Sequence, residues 1–452
     1  MDGPSRIGSN AKSTTSGGRI RRLGTTPVAA WVRRRPANDC PAVAKSLRLG
    51  PSLVSIAAMT TPAKADVVIV GGGVTGASTA FHLTRRGIRD VIVVDKGSIA
   101  SGGTGKSSAC VRQHYSTAET CRMIRYSLEF FQHFAERVDG ESCGFRHTGY
   151  LLGVDDRMRK PMEASVALQR SVGIDTRLVS PVDMRELEPR LRADDLVAGC
   201  YEPASGYCNP VETAQGFARA ARAAGARIVE DSAVVGLLLD GDRVRGVRTS
   251  AGDIQAPVVV NAAGLWSGRV AAMAGVELPI HVCRHKISIV TWPEADQRPH
   301  PMVYDFVTNI YTRPELGEHI LVGGLDAEES VDAVDPDAYK EGVSLDESTD
   351  ALARVSHRFP VLAEGHIARG YAGCFDVTPD WHPILDRVGP EGYHVAAGFS
   401  GHGFKLSPAV GHMVAALIVE GPAGHPDLST FRLSRFAEGK PIRGTYGDWL
   451  MC

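Results

Sequence analysis

Residues 66–95 read DVVIVGGGVTGASTAFHLTRRGIRDVIVVD, and no other stretch constrains the fold as strongly. Val67, Val68, Ile69 and Val70 form a continuous β-branched run, the pattern of a strand buried on both faces of a parallel sheet. Gly71, Gly73 and Gly76 follow in G-x-G-x-x-G spacing, and a helical pattern runs on through Leu83 to Gly87. A second apolar strand, Val91 to Val94, ends on Asp95, nineteen residues beyond Gly76 (95 − 76). The first glycine permits a tight turn, the second lets backbone approach a pyrophosphate, and the third lets helix pack on strand. The helix start offers N–H groups and a positive dipole end to phosphates. An acid closing the second strand can accept hydrogen bonds from a ribose. This order predicts a dinucleotide-binding α/β unit, with Gly71, Gly73, Val74, Thr75, Gly76, Asp95 and Lys96 at the cofactor. It leaves NAD and FAD both open.

Beyond Asp95, the loop KGSIASGGTGKSSACVRQHYS is too rich in small residues for a core element. It suits backbone lying close to a ligand, with Ser107 and Ser108 among its contacts. Helices are expected over 118–137, near 157–172, and from Pro210 to Gly225. A meander of Val234–Leu239 and Val244–Arg248 follows. The strand Val258–Val260 then runs into NAAGLWSG, again small residues after a buried strand. Near the C-terminal end GFSGHGFK, residues 398–405, precedes an apolar helix expected from Pro408 to Val419. Ordering so much glycine is entropically costly, which points to backbone held close to something.

These stretches together resemble the FAD-dependent amine and amino-acid oxidoreductases of the D-amino-acid oxidase type. Within that family the chain is most similar to sarcosine oxidases, monomeric or beta subunit, and dimethylglycine dehydrogenases. The resemblance covers roughly residues 65–436. It implies an α/β fold with a discontinuous Rossmann-like FAD-binding domain, 65–111, 205–267 and 370–436. An inserted α+β substrate domain, 112–204 and 268–369, and a tail, 437–452, complete that division. The implied cofactor is FAD, with Ala263, Gly264, Trp266, Gly398, Gly401, Gly403, Phe404 and Lys405 as further contacts. No second G-x-G-x-x-G with strand context points to a separate NAD site.

The implied chemistry is oxidation of the C–N bond of a carboxylated secondary or tertiary amine, such as an N-methyl amino acid. Arg112 matches the family arginine that grips the substrate carboxylate, a planar anion suited to guanidinium. Its plainer reading is a locally paired arginine. Lys405 matches the lysine beside flavin and substrate; its plainer reading is a solvated lysine at a helix start. His402 stands as catalytic or as a turn-packing residue. His114 and Tyr115 are expected to be structural.

Three departures from the family pattern matter. Beta subunits of heterotetrameric sarcosine oxidase bind FMN through a histidine where Asn209, Pro210, Val211 and Glu212 stand here. Monomeric enzymes link FAD through a cysteine, and Cys374 sits one residue out of that register, so FAD is expected to be non-covalent. The family lysine that promotes reaction with O₂ has no counterpart in HILVGGLD, 319–326, and Lys286 is the nearest substitute. Oxidase and dehydrogenase both stay open, with O₂ or an electron carrier as acceptor. Rival readings are a D-amino-acid, glycine or proline-like dehydrogenase, an electron-relaying or non-catalytic subunit with partner subunits, and an NAD-linked dehydrogenase.

A net charge of −1 over 452 residues gives no nucleic-acid footprint. No apolar run approaches the ~18 residues that cross a bilayer. The nine cysteines lack C-x-x-C or zinc spacing, so a cytoplasmic protein with free thiols and no metal site is expected. Residues 1–64, rich in Arg, Ser, Gly and Pro, are expected to be a disordered extension, with Met59 an alternative start. A transit-like peptide is the other reading.

Overall fold

The computed structural model describes residues 64–293, 297–326 and 333–446. The expectations for the N-terminal extension and the end of the tail lie outside them.

Three buried runs, Val67–Val70, Val91–Val94 and Val258–Asn261, build the centre of a six-stranded sheet. Its order is Ile384–Arg387, Tyr393–Ala397, Val258–Asn261, Val67–Val70, Val91–Val94, Arg227–Val229. All neighbours are parallel except the first pair. Parallel strands need crossover connections. The helices Val74–Arg85, Pro210–Ala223 and Gly403–Glu420 cover one face, on Val67, Ile69, Val91 and Val93, while Val244, Val247, Ile254 and Val270 cover the other, on Val68, Val70, Ile92 and Val94. The first and last of these helices cross closely. Ser78 Oγ donates to Ser407 O at 2.8 Å, and a Cβ on Gly411 would lie 2.2 Å from Ser78 Oγ. Helix Pro210–Ala223 starts as its sequence predicts: Asn209 Oδ1 accepts from Val211 N and Glu212 N, both at 3.1 Å, and Pro210 occupies the first turn.

A second, eight-stranded sheet is drawn from two other parts of the chain. Its order is His366–Val377, His281–Thr291, His319–Gly324, Ile310–Glu315, Met302–Asp305, Tyr150–Val154, Ala198–Glu202, Arg177–Val179. The fold is therefore the mixed α/β, discontinuous arrangement expected. A three-stranded meander, 234–255, and a small sheet that pairs Cys110–Val111 and Arg146–His147 with Gly206–Tyr207 complete it.

Three boundaries differ from expectation. The division at 370 falls inside strand His366–Val377, which pairs with His281–Thr291 in the large sheet. Gly370 and Gly373 both make room within that strand: a Cβ would meet Val343 Cβ at 2.8 Å and Lys106 Cβ at 3.2 Å. The helix expected over 118–137 breaks at His133 into Ala118–Gln132 and Phe134–Arg137. The C-terminal helix starts at Gly403, five residues before Pro408. The residue before a proline is usually extended, and here that rule is overridden, because the tightly packed Ser407 is held in the helix.

Candidate active site

A cavity of about 580 Å³ runs between the carboxyl ends of the parallel strands and the large sheet. Crevices of this kind are where ligands bind in open α/β folds. Gly71, Gly73, Val74, Thr75, Asp95, Lys96, Ser107, Ser108, Ala263, Gly264 and Trp266 all line it. So do Arg112 and, from the opposite end of the sequence, Gly401, His402, Gly403, Phe404 and Lys405.

Two expected contacts do not line it. Gly76 faces the turn: a Cβ there would lie 1.9 Å from Gly71 O, so this glycine serves the packing of helix on strand. Gly398 has φ +73°, and its Cβ would meet Thr378 Cγ2 at 2.4 Å, so it shapes the loop from behind.

Gly71 has φ +113°, and a Cβ on it would sit 2.3 Å from Ala262 O. Only glycine holds this turn open. Asp95 stitches the turn to its own strand end, its carboxylate accepting from Gly72 N at 2.5 Å and Gly97 N at 2.8 Å. Burial raises its pKa and these N–H groups oppose the rise. Asn261 fixes the next loop, donating to Ser267 O and Tyr393 Oη while accepting from Ala263 N. At this end Lys96 Nζ stands 3.6 Å from the centroid of Trp266.

At the other end Arg112 is 2% exposed. Its guanidinium carbon lies 4.8 Å from the Tyr115 ring centroid and 5.2 Å from that of Tyr304, and Nη1 donates to His114 O. Lys405 is 7% exposed, in the first turn of helix Gly403–Glu420, with Nζ 3.3 Å from Gly401 O. It is a buried lysine facing a cavity, and the solvated reading does not hold. His402 Nδ1 lies 3.1 Å from Tyr115 Oη. Burial, then Lys405 and Arg112, push its pKa well down, so the ring is neutral.

His114 does not line the cavity. It is buried between Tyr446 and Gln169, its pKa pushed down to about 3 by burial and Arg112. Cys374 does line it, its thiol pushed up to about 11 by burial. Asn209 is a helix cap and does not reach it. On strand His281–Thr291 it is His285 that lines the cavity, not Lys286, as alternation along a strand requires.

The large sheet adds side chains that the sequence reading missed: His285, Tyr304, Tyr311, Phe375 and Asp376. The rings of Tyr304 and Tyr311 stack at 5.1 Å, and those of His285 and Phe375 at 4.4 Å. One local signal existed. Gly323 is a glycine inside a strand, a mark of close approach, and its Cβ would fall 2.3 Å from the Tyr311 ring.

The strained turn at Gly71, the helix start at Val74 and a lining that continues past Lys405 to an aromatic wall fit an extended dinucleotide carrying a ring system at its far end. Fold and site together define a dinucleotide-cofactor oxidoreductase. The chain belongs to the FAD dependent oxidoreductase family, whose model matches residues 66–417, and its cofactor is FAD. It is 28% identical over 428 residues to mitochondrial sarcosine dehydrogenase of Mus musculus, covering 92% of this chain and 46% of that protein. Over 390 residues it is 28% identical to sarcosine oxidase subunit beta of Arthrobacter sp, covering 83% of this chain and 92% of the subunit. The crystal structure of L-proline dehydrogenase from P. horikoshii superposes with a TM-score of 0.78 at 30% identity, over 84% of this chain and 100% of that one. The chain thus spans less than half the length of the mouse sarcosine dehydrogenase. Among the described residues no helix is long and apolar enough to cross a membrane.

Proposed function

We propose that this chain oxidises the C–N bond of a secondary α-amino acid, an N-methyl amino acid such as sarcosine in the first instance. The observation that carries this reading is Arg112, a buried guanidinium facing the cavity between two tyrosine rings, on the same side as Lys405. Tertiary N-methyl amino acids belong to the same class. A cyclic secondary amine such as proline is the second reading, favoured by the similarity to L-proline dehydrogenase.

Arg112 donates two parallel hydrogen bonds to the carboxylate, and the flanking rings hold the guanidinium plane in place. Lys405 adds a second cation. Two cations facing one cavity disfavour an ammonium group beside them, so the amine is held in its neutral, oxidisable form. FAD, when bound, supplies the acceptor for the hydride on the carbon next to the amine nitrogen. The resulting imine is hydrolysed by water. His285 and Tyr311 do not take up the amine proton. Burial lowers the His285 pKa to about 3 and raises that of Tyr311, so both are neutral and act as an orienting hydrogen-bonded pair. His402 and Tyr115 brace the arginine loop against the start of the C-terminal helix.

The neutral Cys374 thiol supports non-covalent FAD. The test of the function is anaerobic. The yellow holoprotein is mixed with sarcosine, dimethylglycine, proline, glycine and D-alanine, and loss of its visible absorbance is followed. Rapid bleaching by sarcosine or proline supports the proposal, whereas bleaching by glycine or D-alanine alone overturns it.

A further inference from the structure

Behind Arg112 lies a carboxyl group that the chemistry above does not use. Glu202 ends strand Ala198–Glu202, is 0% exposed, and belongs to neither the cavity lining nor an ion pair among the described residues. One oxygen, Oε2, accepts from Gln113 N at 2.7 Å and from Ser205 Oγ at 2.7 Å. The other, Oε1, is buried and takes no hydrogen bond among the described residues. Gln113 follows Arg112 directly, so this carboxyl holds the backbone of the arginine loop against the large sheet.

Among the described residues, the charged and titratable groups around Glu202 are few. Arg112 is the cation that favours its charged form, and Cys121 of helix Ala118–Gln132 couples to it as a thiol held neutral, its pKa pushed up to about 12. Tyr150 stands opposite on the neighbouring strand. His114, on the arginine loop, is neutral and touches Cys200 on the same face of the Glu202 strand. Burial pushes the Glu202 pKa up to about 7, against the pull of Gln113 N–H, Ser205 and Arg112.

We propose that Glu202 is a positioning residue for Arg112: its carboxylate fixes the arginine loop, and its proton affinity rises when a substrate carboxylate reaches the guanidinium, so that binding draws up to one proton from solvent. This rests on the reading that Arg112 receives that carboxylate. A bound anion offsets the arginine charge as felt at Glu202, which removes a source of stabilisation for the buried anion. Binding and protonation are thereby linked. The Glu202 pKa is higher in the complex than in the free protein. Affinity for a carboxylate is full below the free pKa and weakens as pH rises through it, by up to about tenfold per pH unit.

The probe is methoxyacetate, which has the shape of sarcosine with an ether oxygen in place of the amine, cannot form an imine, and stays ionised at neutral pH. Its Kd for the holoenzyme is read from the FAD absorption spectrum between pH 5.5 and 9. Wild type should lose affinity progressively above pH 7, while Glu202→Gln should give a flat profile. Proton uptake by wild type at pH 7.5, followed with an indicator dye on mixing, is a second readout that needs no variant. The same slope in Glu202→Gln, or no proton uptake by wild type, overturns the proposal. Unchanged methoxyacetate affinity in Arg112→Ala overturns instead the underlying reading of Arg112, so the two failures are distinct.

Discussion

The His285 ring lies nearly parallel to that of Tyr311, 6° apart at 5.8 Å, with Nε2 3.0 Å from the tyrosine hydroxyl. The two residues come from strands that are not neighbours: His319–Gly324 lies between them, and its Gly323 leaves the space through which they meet. In the proposed reaction this neutral, hydrogen-bonded pair at the cavity wall orients the substrate without exchanging a proton with it.

Removing the hydroxyl should therefore cost orientation and the hydrogen bond between Tyr311 Oη and His285 Nε2, worth about 0.5–1.5 kcal/mol. Tyr311→Phe is expected to lower kcat/KM about tenfold. Because the His285 pKa lies near 3, the rate profile should show no His285 inflection between about pH 5 and 9. Activity in Tyr311→Phe within twofold of wild type would contradict this role.

The segment 335–341 meets the other end of the cavity, where Asp337 is part of the lining. Asp337 accepts from Lys96 at 2.7 Å, Trp266 Nε1 at 2.9 Å and Arg269 at 2.5 Å, while Glu341 pairs with Lys106 at 2.7 Å. These are largely exposed pairs, so salt should screen them. FAD release from wild type is expected to quicken severalfold between low and high salt, and Asp337→Asn should release faster with a weaker salt dependence. The Asp337 carboxyl is held down at about 2. Its contribution is present above the ordinary carboxylate range and lost as pH falls towards 2, so release should not change between pH 5 and 8 on its account. Flavin fluorescence reports each rate.

Gly73 and Gly76 should separate cofactor binding from folding. A Cβ on Gly76 meets backbone at 1.9 Å, whereas one on Gly73 meets only Thr104 Oγ1 at 3.1 Å. Gly76→Ala should cost about 1–3 kcal/mol of stability, a fall of several degrees in the Tm of the FAD-free protein. Gly73→Ala should leave that Tm within about a degree and weaken FAD binding about tenfold or more, through the backbone approach the second glycine permits. Equal effects of the two on Tm would count against this division.

Cys374 carries a neutral thiol in a cavity wall, and nucleophilic attachment needs a thiolate. Acid precipitation is expected to leave the yellow colour in the supernatant, and Cys374→Ala should retain FAD. A coloured pellet in wild type that turns white in Cys374→Ala would show a covalent link.

Much of the cofactor end was legible because its determinants are local. The turn after Val70, the glycine spacing and Asp95 lie within one β-α-β unit, where side-chain type and backbone conformation are set by neighbours in sequence. The resemblance pointed to Lys405, which lines the cavity, though the apolar helix was expected to begin only at Pro408, five residues late. The aromatic wall was not legible. Tyr304, Tyr311, His285 and Phe375 meet through the register of four strands spread over 281–377, and alternation within one strand does not say which face the cavity will occupy. Glu202 was hidden for the same reason. Its importance comes from Gln113, 89 residues away, and from complete burial, which a lone glutamate in a strand pattern does not announce.

The most direct measurement of the central claim is the anaerobic rate of FAD bleaching by sarcosine and by N-methylethylamine, which lacks the carboxylate, in wild type and Arg112→Lys. Wild type should be reduced by sarcosine at least about a hundredfold faster, because charge-assisted bidentate contacts to a carboxylate are among the strong ones. Arg112→Lys should lose most of that preference while keeping its FAD spectrum. Equal bleaching by both amines in wild type, or an undiminished preference for sarcosine in the variant, would contradict the account.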